Sequence, residues 1–224
     1  MLSETKNMRV VVTCGPSYEP IDEVRRITNF STGGLGMTLT SHLVRAGFEV
    51  ICFRGVGATS QERVNGAKIV PFGTNHHLQS ALEELPHREK IGAVFHAAAL
   101  CDYRVKRVHT STGAEVAATK IPSRAGDLLL ALEPAPKLIH TLRDLFPNSR
   151  IVGWKYELVG SRADVLAAAI RQLAESRTDA CVMNGVAYGS GFGFLEPKTK
   201  PVPFADKSTI CAHLVHWLKA KLKG

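Results

Sequence analysis

No apolar run among the 224 residues approaches the roughly 18 to 20 needed to cross a bilayer, so no membrane partner is expected. The first seven residues, Met1 to Asn7, carry no apolar core, and no secretory leader is expected from them. Cysteine is scarce and odd in number: Cys14, Cys52, Cys101, Cys181 and Cys211, without CxxC spacing. That pattern speaks against a disulfide framework and a zinc site. The mostly apolar neighbours suit buried free thiols, and a reducing, cytoplasmic compartment is the expectation. The common chemical signatures are missing too. There is no GxGxxG, no GxxxxGK[ST], and Ser190 in Gly189-Ser190-Gly191 is no GxSxG elbow. The histidines show neither HxxxH nor HExxH spacing, and His76-His77 reads as a helix surface. No internal repeat or low-complexity tract is present.

What the chain does have is an ordinary core-forming composition, 45% hydrophobic and 21% charged, and a formal net charge of +8. The cations are dispersed apart from short groups such as Arg104/Lys106/Arg107 and Lys219/Lys221/Lys223. The last group has no aromatic interleaving and reads as a solvated helix end. Phosphorylated small ligands therefore fit the charge better than a nucleic-acid track.

The periodicity predicts alternating strands and helices. Strands are expected at 8–13, 48–54, 68–72, 92–100, 128–132, 151–157 and 180–183, and helices at 35–45, 76–85, 136–145 and 163–175. In the fourth helix Val165, Leu166, Ala169, Ile170 and Leu173 form the expected buried face. A last helix starts near Ser208, capped by Asp206 or Ser208, and buries Ile210, Leu214, Trp217 and Leu218. The fold class is α/β: a Rossmann-like three-layer sandwich with a mostly parallel sheet, read as a single domain over 1–224. Two stretches break the alternation, an inserted flap near 103–127 and a long glycine-rich loop near 184–203.

The chain is organised around the connection after the first strand. Residues 15–36 are crowded with glycine, hydroxyls, an amide, the three carboxylates Glu19, Asp22 and Glu23, and the pair Arg25-Arg26. Gly33-Gly34-Leu35-Gly36 before a helix lets the backbone approach a ligand, with helix amides facing outward. A phosphate there gains about 0.3 to 1 kcal/mol from the helix dipole. A well-capped surface loop without a ligand would use the same residues, and the composition alone leaves both open.

The motif Glu19-Pro20-Ile21-Asp22, then Val24-Arg25, then Asn29 and Ser31-Thr32-Gly33 resembles the N-terminal signature of the phosphopantothenoylcysteine synthetase family. Ala97-Ala98-Ala99-Leu100-Cys101-Asp102-Tyr103-Arg104 is similar to the family's alanine-rich strand ending in Asp-aromatic-Arg. Lys120, Gly153-Trp154 with Glu157, and Asp179 followed by Asn184 keep the family's order. The resemblance implies a ligase of coenzyme A biosynthesis. It joins 4′-phosphopantothenate to cysteine through an acyl-nucleotide, consuming CTP or ATP with Mg²⁺ and releasing pyrophosphate. It also implies a homodimer, and no flavin is expected. By position, Asn29 polarises the acyl-nucleotide and Lys120 swings on the flap toward the triphosphate. Arg25 and Ala98 meet the substrate, while Gly15, Ser31, Gly33, Gly36, Asp102 and Gly153 serve the nucleotide, with Asp102 also able to meet its cation.

The chain departs from the family at Gly34 and Pro122, where lysines are usual, and at Lys137, Lys155 and Gly185. Most of these departures lie on the nucleotide side and leave the choice of nucleotide open. A second reading of the residues is a Rossmann-like dinucleotide-binding protein or reductase. It is weakened by the absent GxGxxG and by Phe53-Arg54, which ends the second strand without an acidic residue for a ribose. A catalytically inactive nucleotide-binding relative is a third.

Overall fold

The computed structural model describes residues 8–116, 119–122, 124 and 126–222. Its strands are β1 (Arg9–Cys14), β2 (Tyr18–Pro20), β3 (Arg26–Thr28), β4 (Glu49–Gly55), β5 (Ala67–Phe72), β6 (Ile91–His96), β7 (Tyr103–Thr110), β8 (Leu128–Pro134), β9 (Arg150–Tyr156), β10 (Ala180–Asn184), β11 (Phe192–Leu195) and β12 (Val202–Phe204). The helices are α1 (Gly34–Arg45), α2 (Asn75–Glu83), α3 (Leu142–Leu145), α4 (Arg162–Glu175) and α5 (Lys207–Lys221).

Eight strands form one sheet in the order β12-β11-β10-β9-β6-β1-β4-β5. The run from β5 to β10 is parallel, and β11 and β12 add an antiparallel edge. The β-branched run Val10-Val11-Val12 lies in the middle with no exposed surface, as a parallel strand covered on both faces requires. Alternate residues point to opposite faces. Val10, Val12 and Cys14 pack with α1 and α5, whose Ile210, Leu214, Trp217 and Leu218 form the expected stripe. Val11 faces Leu78 and Leu82 of α2 and the 138–146 segment. Val165, Ala169 and Leu173 of α4 cover β10 from that second side. Three layers result, each fully buried Leu, Ile or Phe contributing about 1.5–3 kcal/mol by leaving water.

Several expectations need correction. The flap is not irregular throughout: β7 and β8 pair antiparallel from Tyr103↔Pro134 to Thr110↔Leu128, as a two-stranded unit outside the main sheet. The apolar run at 128–132 therefore belongs to this hairpin, which leaves Leu129 and Leu132 exposed. The late loop contains β11 and β12, which extend the sheet from β10. The connection after β1 folds back as the β2–β3 hairpin. The expected helix at 136–145 is a 3₁₀ turn, Leu138–His140, followed by the short α3. Ile170 lies on the outer side of α4, 54% exposed, because only one side of that helix meets the sheet. The α5 cap is Asp206, whose carboxylate accepts the Thr209 amide at 2.8 Å.

The topology places the site. From β1 the chain moves through α1 to β4 on one side. It later crosses through α2 to β6 on the other side of β1. The carboxyl ends of β1 and β6 thus flank the point where the strand order reverses, where open α/β sheets bind ligands.

Candidate active site

Pairing between β1 and β6 continues past the strand ends. The Ala97 amide donates to the Thr13 carbonyl at 3.0 Å, Ala99 to Gly15 at 2.9 Å, and Ser17 to Ala99 at 3.2 Å. The Ser17 hydroxyl accepts the Cys101 amide at 2.8 Å. These bonds hold residues 97–102 and the β1 exit as one rigid edge. Above it opens a cleft of about 1050 Å³, at the upper end of the range for small-molecule sites.

The α1 side of the cleft is built for close approach. Gly33 caps α1 at φ 72°, left-handed backbone that glycine adopts without a Cβ penalty. Ser31 Oγ accepts the Gly33 amide at 3.4 Å and Thr32 Oγ1 accepts that of Gly34 at 3.2 Å. The next amides, Leu35 and Gly36, find no acceptor among the described residues. A Cβ on Gly36 would overlap that of Cys14, so this glycine is what lets α1 seat on β1. Lys207, at the start of α5, brings its Nζ to 3.5 Å from where a Gly34 Cβ would stand.

Asn29 stands in the wall formed by residues 28–32, its Nδ2 donating to the Leu100 carbonyl at 2.8 Å. One amide proton and Oδ1 remain unpaired among the described residues. Asp102 pairs with Lys137, and Lys155 with Glu157 at 3.2 Å. Three lysines and two carboxylates line the cleft, which leaves Lys207 as the excess cation. No carboxylate pairs with Lys207 among the described residues. Three buried polar atoms on lining residues also lack partners there: Trp154 Nε1, Asn184 Oδ1 and Asn75 Oδ1. Buried polar atoms are normally satisfied, so these three are free to pair with polar groups of a ligand.

Two titratable groups in the walls are held neutral. His96 closes the floor, with Nδ1 2.8 Å from Thr13 Oγ1, and burial lowers its pKa from 6.5 to about 4. Thr13 Oγ1 also accepts the Ala98 amide at 3.3 Å, so its own proton is best used toward Nδ1, leaving the imidazole proton on Nε2. Cys14 Sγ lies 3.7 Å from Cys52 Sγ, and that hydrogen bond together with burial pushes the Cys14 thiol well above its usual range. Cys14 is therefore packing, not a nucleophile.

Arg25 and Lys120 do not line the cleft. Arg25 pairs with Asp22 at 2.8 Å and donates to the Ile121 carbonyl at 3.0 Å. Asp22 accepts the amides of Val24, Arg25 and Ile121. Burial alone would raise its pKa; those three amides and the Arg25 charge outweigh it and hold the carboxyl below its ordinary value. The Glu23 amide donates to Thr119 at 3.0 Å. Lys120 thus sits exposed on a flap segment tied to the loop that leads to Asn29. Ala98, Ser31, Gly33, Gly36 and Asp102 line the cleft beside Asn29. Gly15 and Gly153 lie behind its walls, Gly153 beneath Gln172 and Ile139.

Sequence reading missed His96, Gln172, Phe192 and Lys207. His96 carried a signal, a lone polar residue inside an apolar strand. Lys207 carried none, since it reads as an ordinary first-turn lysine. Among the described residues no three His, Cys, Asp or Glu side chains converge to hold a metal. No described helix is long and apolar enough to cross a membrane.

Residues 5–220 match the family described as the DNA/pantothenate metabolism flavoprotein C-terminal domain. The coenzyme A biosynthesis bifunctional protein CoaBC of Thermococcus kodakarensis is 33% identical over 183 residues, 81% of this chain and 42% of that protein. The chain therefore spans less than half the length of this relative. The DNA/pantothenate metabolism flavoprotein from Streptococcus pneumoniae shares the fold with a TM-score of 0.83 at 23% identity, covering 96% of this chain and 99% of that one. A Cab2 variant in complex with phosphopantothenate-cysteine shares it with a TM-score of 0.71 at 18% identity, over 97% of this chain and 87% of the other. Matched over residues 5–220, this chain belongs to the phosphopantothenoylcysteine synthetase family.

Proposed function

We propose that the protein is a phosphopantothenate–cysteine ligase that uses CTP or ATP. The observation that carries this reading is the cleft itself: Asn29, the free α1 amides, Lys207 and residues 97–102 surround one ligand-sized space. A carboxylate is a poor acyl donor, so it must first gain a leaving group. In the first step a carboxylate oxygen of 4′-phosphopantothenate attacks the α-phosphorus of the nucleotide and pyrophosphate departs. In the second, the cysteine amine attacks the acyl carbon, the amide forms, and the nucleoside monophosphate leaves.

Each residue then has physical work. The Leu35 and Gly36 amides and Lys207 hold the phosphates, where negative charge gathers. Asn29, anchored through Leu100, keeps one N–H for the acyl oxygen, whose charge grows as the amine adds. Lys120 reaches the phosphates when the flap folds inward, and Arg25 sets the position of that flap through Asp22 and Ile121. Ala98 gives the substrate backbone to lie against. Trp154 Nε1 and Asn184 Oδ1 complete their pairing on the base or ribose. A magnesium ion carried by the nucleotide phosphates would have Asp102 as its protein carboxylate, once Lys137 yields it; the ion would offset phosphate charge. The ligand of the similarly folded Cab2 variant, phosphopantothenate-cysteine, is the product this reaction forms.

The protein works as a homodimer in this reading. Support comes from Tyr103, Leu129 and Leu132, exposed on the β7–β8 hairpin away from the main sheet. Its five cysteines are free and buried, which suits a cytoplasmic setting. The test is pyrophosphate release from CTP and from ATP. Release should require both 4′-phosphopantothenate and cysteine and yield the ligated amide. Release that ignores both acceptors, with no amide, would overturn the reading.

A further inference from the structure

Arg54 stands near the end of β4 as the register partner of Cys14, the last residue of β1 and part of the cleft lining. Val50 and Cys52 pack on the α1 side of the sheet, so Arg54, two residues further on, leaves the strand on that same side. Its Nη2 donates to two carbonyls of the loop that follows, Ala58 at 3.0 Å and Ser60 at 2.6 Å. One planar group therefore folds residues 55–60 back over the end of the strand. Its Nε is buried and has no partner among the described residues, and no carboxylate pairs with the guanidinium there.

The loop so held is the back of the α1 cradle. The Ser60 amide donates to the Thr32 carbonyl at 2.9 Å, and the Thr32 hydroxyl in turn accepts the Gly34 amide at 3.2 Å. The Ala58 methyl lies 2.8 and 3.0 Å from where Cβ atoms on Gly15 and Gly33 would stand, so it packs directly on both glycines. Further along, the Ser60 hydroxyl accepts the Glu62 amide at 3.3 Å, and Glu62 Oε2 stands 3.0 Å from the Thr38 hydroxyl of α1. Arg54 is thus one loop behind the free Leu35 and Gly36 amides. A half-buried cation without a carboxylate is costly to the fold unless an anion compensates it. A phosphate in the cradle supplies that opposite charge.

We propose that Arg54 is a positioning residue for the nucleotide phosphates. It does not line the cleft, so it acts without touching the ligand. Through the 55–60 loop it fixes Thr32, Gly33 and the first amides of α1, and its unpaired charge adds to the field that α1 presents. The inference rests on the ligase reading for the identity of the anion as a nucleotide.

The test is calorimetric binding of ATP and of CTP, each with Mg²⁺, to the wild type, Arg54→Gln, Arg54→Lys and Ala58→Gly. Turnover is measured alongside, and thermal melts check folding. Arg54→Gln should weaken nucleotide binding about tenfold, the factor of one lost charged hydrogen bond, and raise the KM for nucleotide to match. The KM for cysteine should stay within about twofold, a split that general loosening would not give. Arg54→Lys should recover part of the affinity and of its salt dependence, because it restores the charge but not the fork. Ala58→Gly keeps Arg54 and removes only the packing on Gly15 and Gly33. It should weaken nucleotide binding about fourfold, the equivalent of one packed methyl, and it carries the test if Arg54→Gln does not fold. The inference is overturned if the variant that carries the test binds within about twofold of the wild type, or if Arg54→Lys recovers nothing. An equal rise in the KM for cysteine, or a wild type that binds neither nucleotide, overturns it too. A wild type that binds nucleotide through Arg54 in this way, yet releases no pyrophosphate, would leave Arg54 in its role and remove the ligase reading.

Discussion

The Asp22 carboxylate accepts the backbone amide of Ile121 at 3.1 Å, joining segments 99 residues apart in sequence. Arg25 closes the same junction from the other side through the Ile121 carbonyl. The loop that ends in Asn29 and the flap segment that carries Lys120 are therefore one mechanical unit. Asp22→Ala should free the flap while leaving the central sheet intact. Hydrogen exchange at 119–122 should rise, and turnover should fall by about tenfold to a hundredfold, the scale of a small misplacement of a catalytic group. Unchanged exchange together with unchanged turnover would show that the tether is incidental.

Lys207→Gln should weaken nucleotide binding. Its Nζ stands beside Gly34 at the start of α1, without a carboxylate partner among the described residues. The KM for nucleotide should rise about tenfold while the KM for cysteine stays within twofold, since a lost charged hydrogen bond of about 1.5 kcal/mol corresponds to that factor. The wild-type KM should also depend more steeply on salt than that of the variant.

Burial of His96 predicts a particular pH dependence of stability. Its pKa falls from 6.5 to about 4 on folding. Between those values the unfolded chain binds the proton and the native state does not. Stability is therefore full above about pH 6.5 and declines as pH falls toward 4. The contribution at stake is about 3 kcal/mol. Urea unfolding at pH 7, 5.5 and 4.5 should show His96→Gln losing less stability on acidification than the wild type.

Gly36→Ala should loosen α1 from β1, because the added methyl would overlap Cys14. Overpacking of this kind costs about 2 kcal/mol, which for a domain of this size lowers the melting temperature by roughly 5 °C. Thermal unfolding followed by circular dichroism checks this, and an unchanged midpoint would contradict the packing role.

The parts of the fold legible in the sequence are those where burial imposes a period. Val10-Val11-Val12 reads as a central strand, and the spacing of Ile210, Leu214, Trp217 and Leu218 reads as a helix face because both are packed by neighbours. The edges were not legible. Residues 192–195 and 202–204 are short and rich in glycine and proline, and they become strands only through register with β10 and with each other. The five apolar residues at 128–132 carry the pattern of a buried sheet strand, yet they form an exposed hairpin arm with β7. Ile170 shares a helical spacing with buried residues but falls just outside the arc that touches the sheet. In the site, Asn29 and Asp102 were legible from contiguous motifs. Lys207 was not, because it is brought in from the far end of the chain, and His96 showed only as a lone polar residue in an apolar strand, its charge state being set by burial.

Asn29→Ala tests the central claim most directly. The side chain is exposed and makes one hydrogen bond, to Leu100, so its loss should cost the fold only about 1 kcal/mol. Rapid-quench measurement of acyl-nucleotide and amide formation, with CTP or ATP, 4′-phosphopantothenate and cysteine, should show a hundredfold or greater drop in product. That is roughly the cost of removing one preorganised donor from a developing oxyanion. Nucleotide binding should stay near normal. Amide formation within threefold of the wild type would contradict the assignment of Asn29 and, with it, of the cleft as the site of acyl activation.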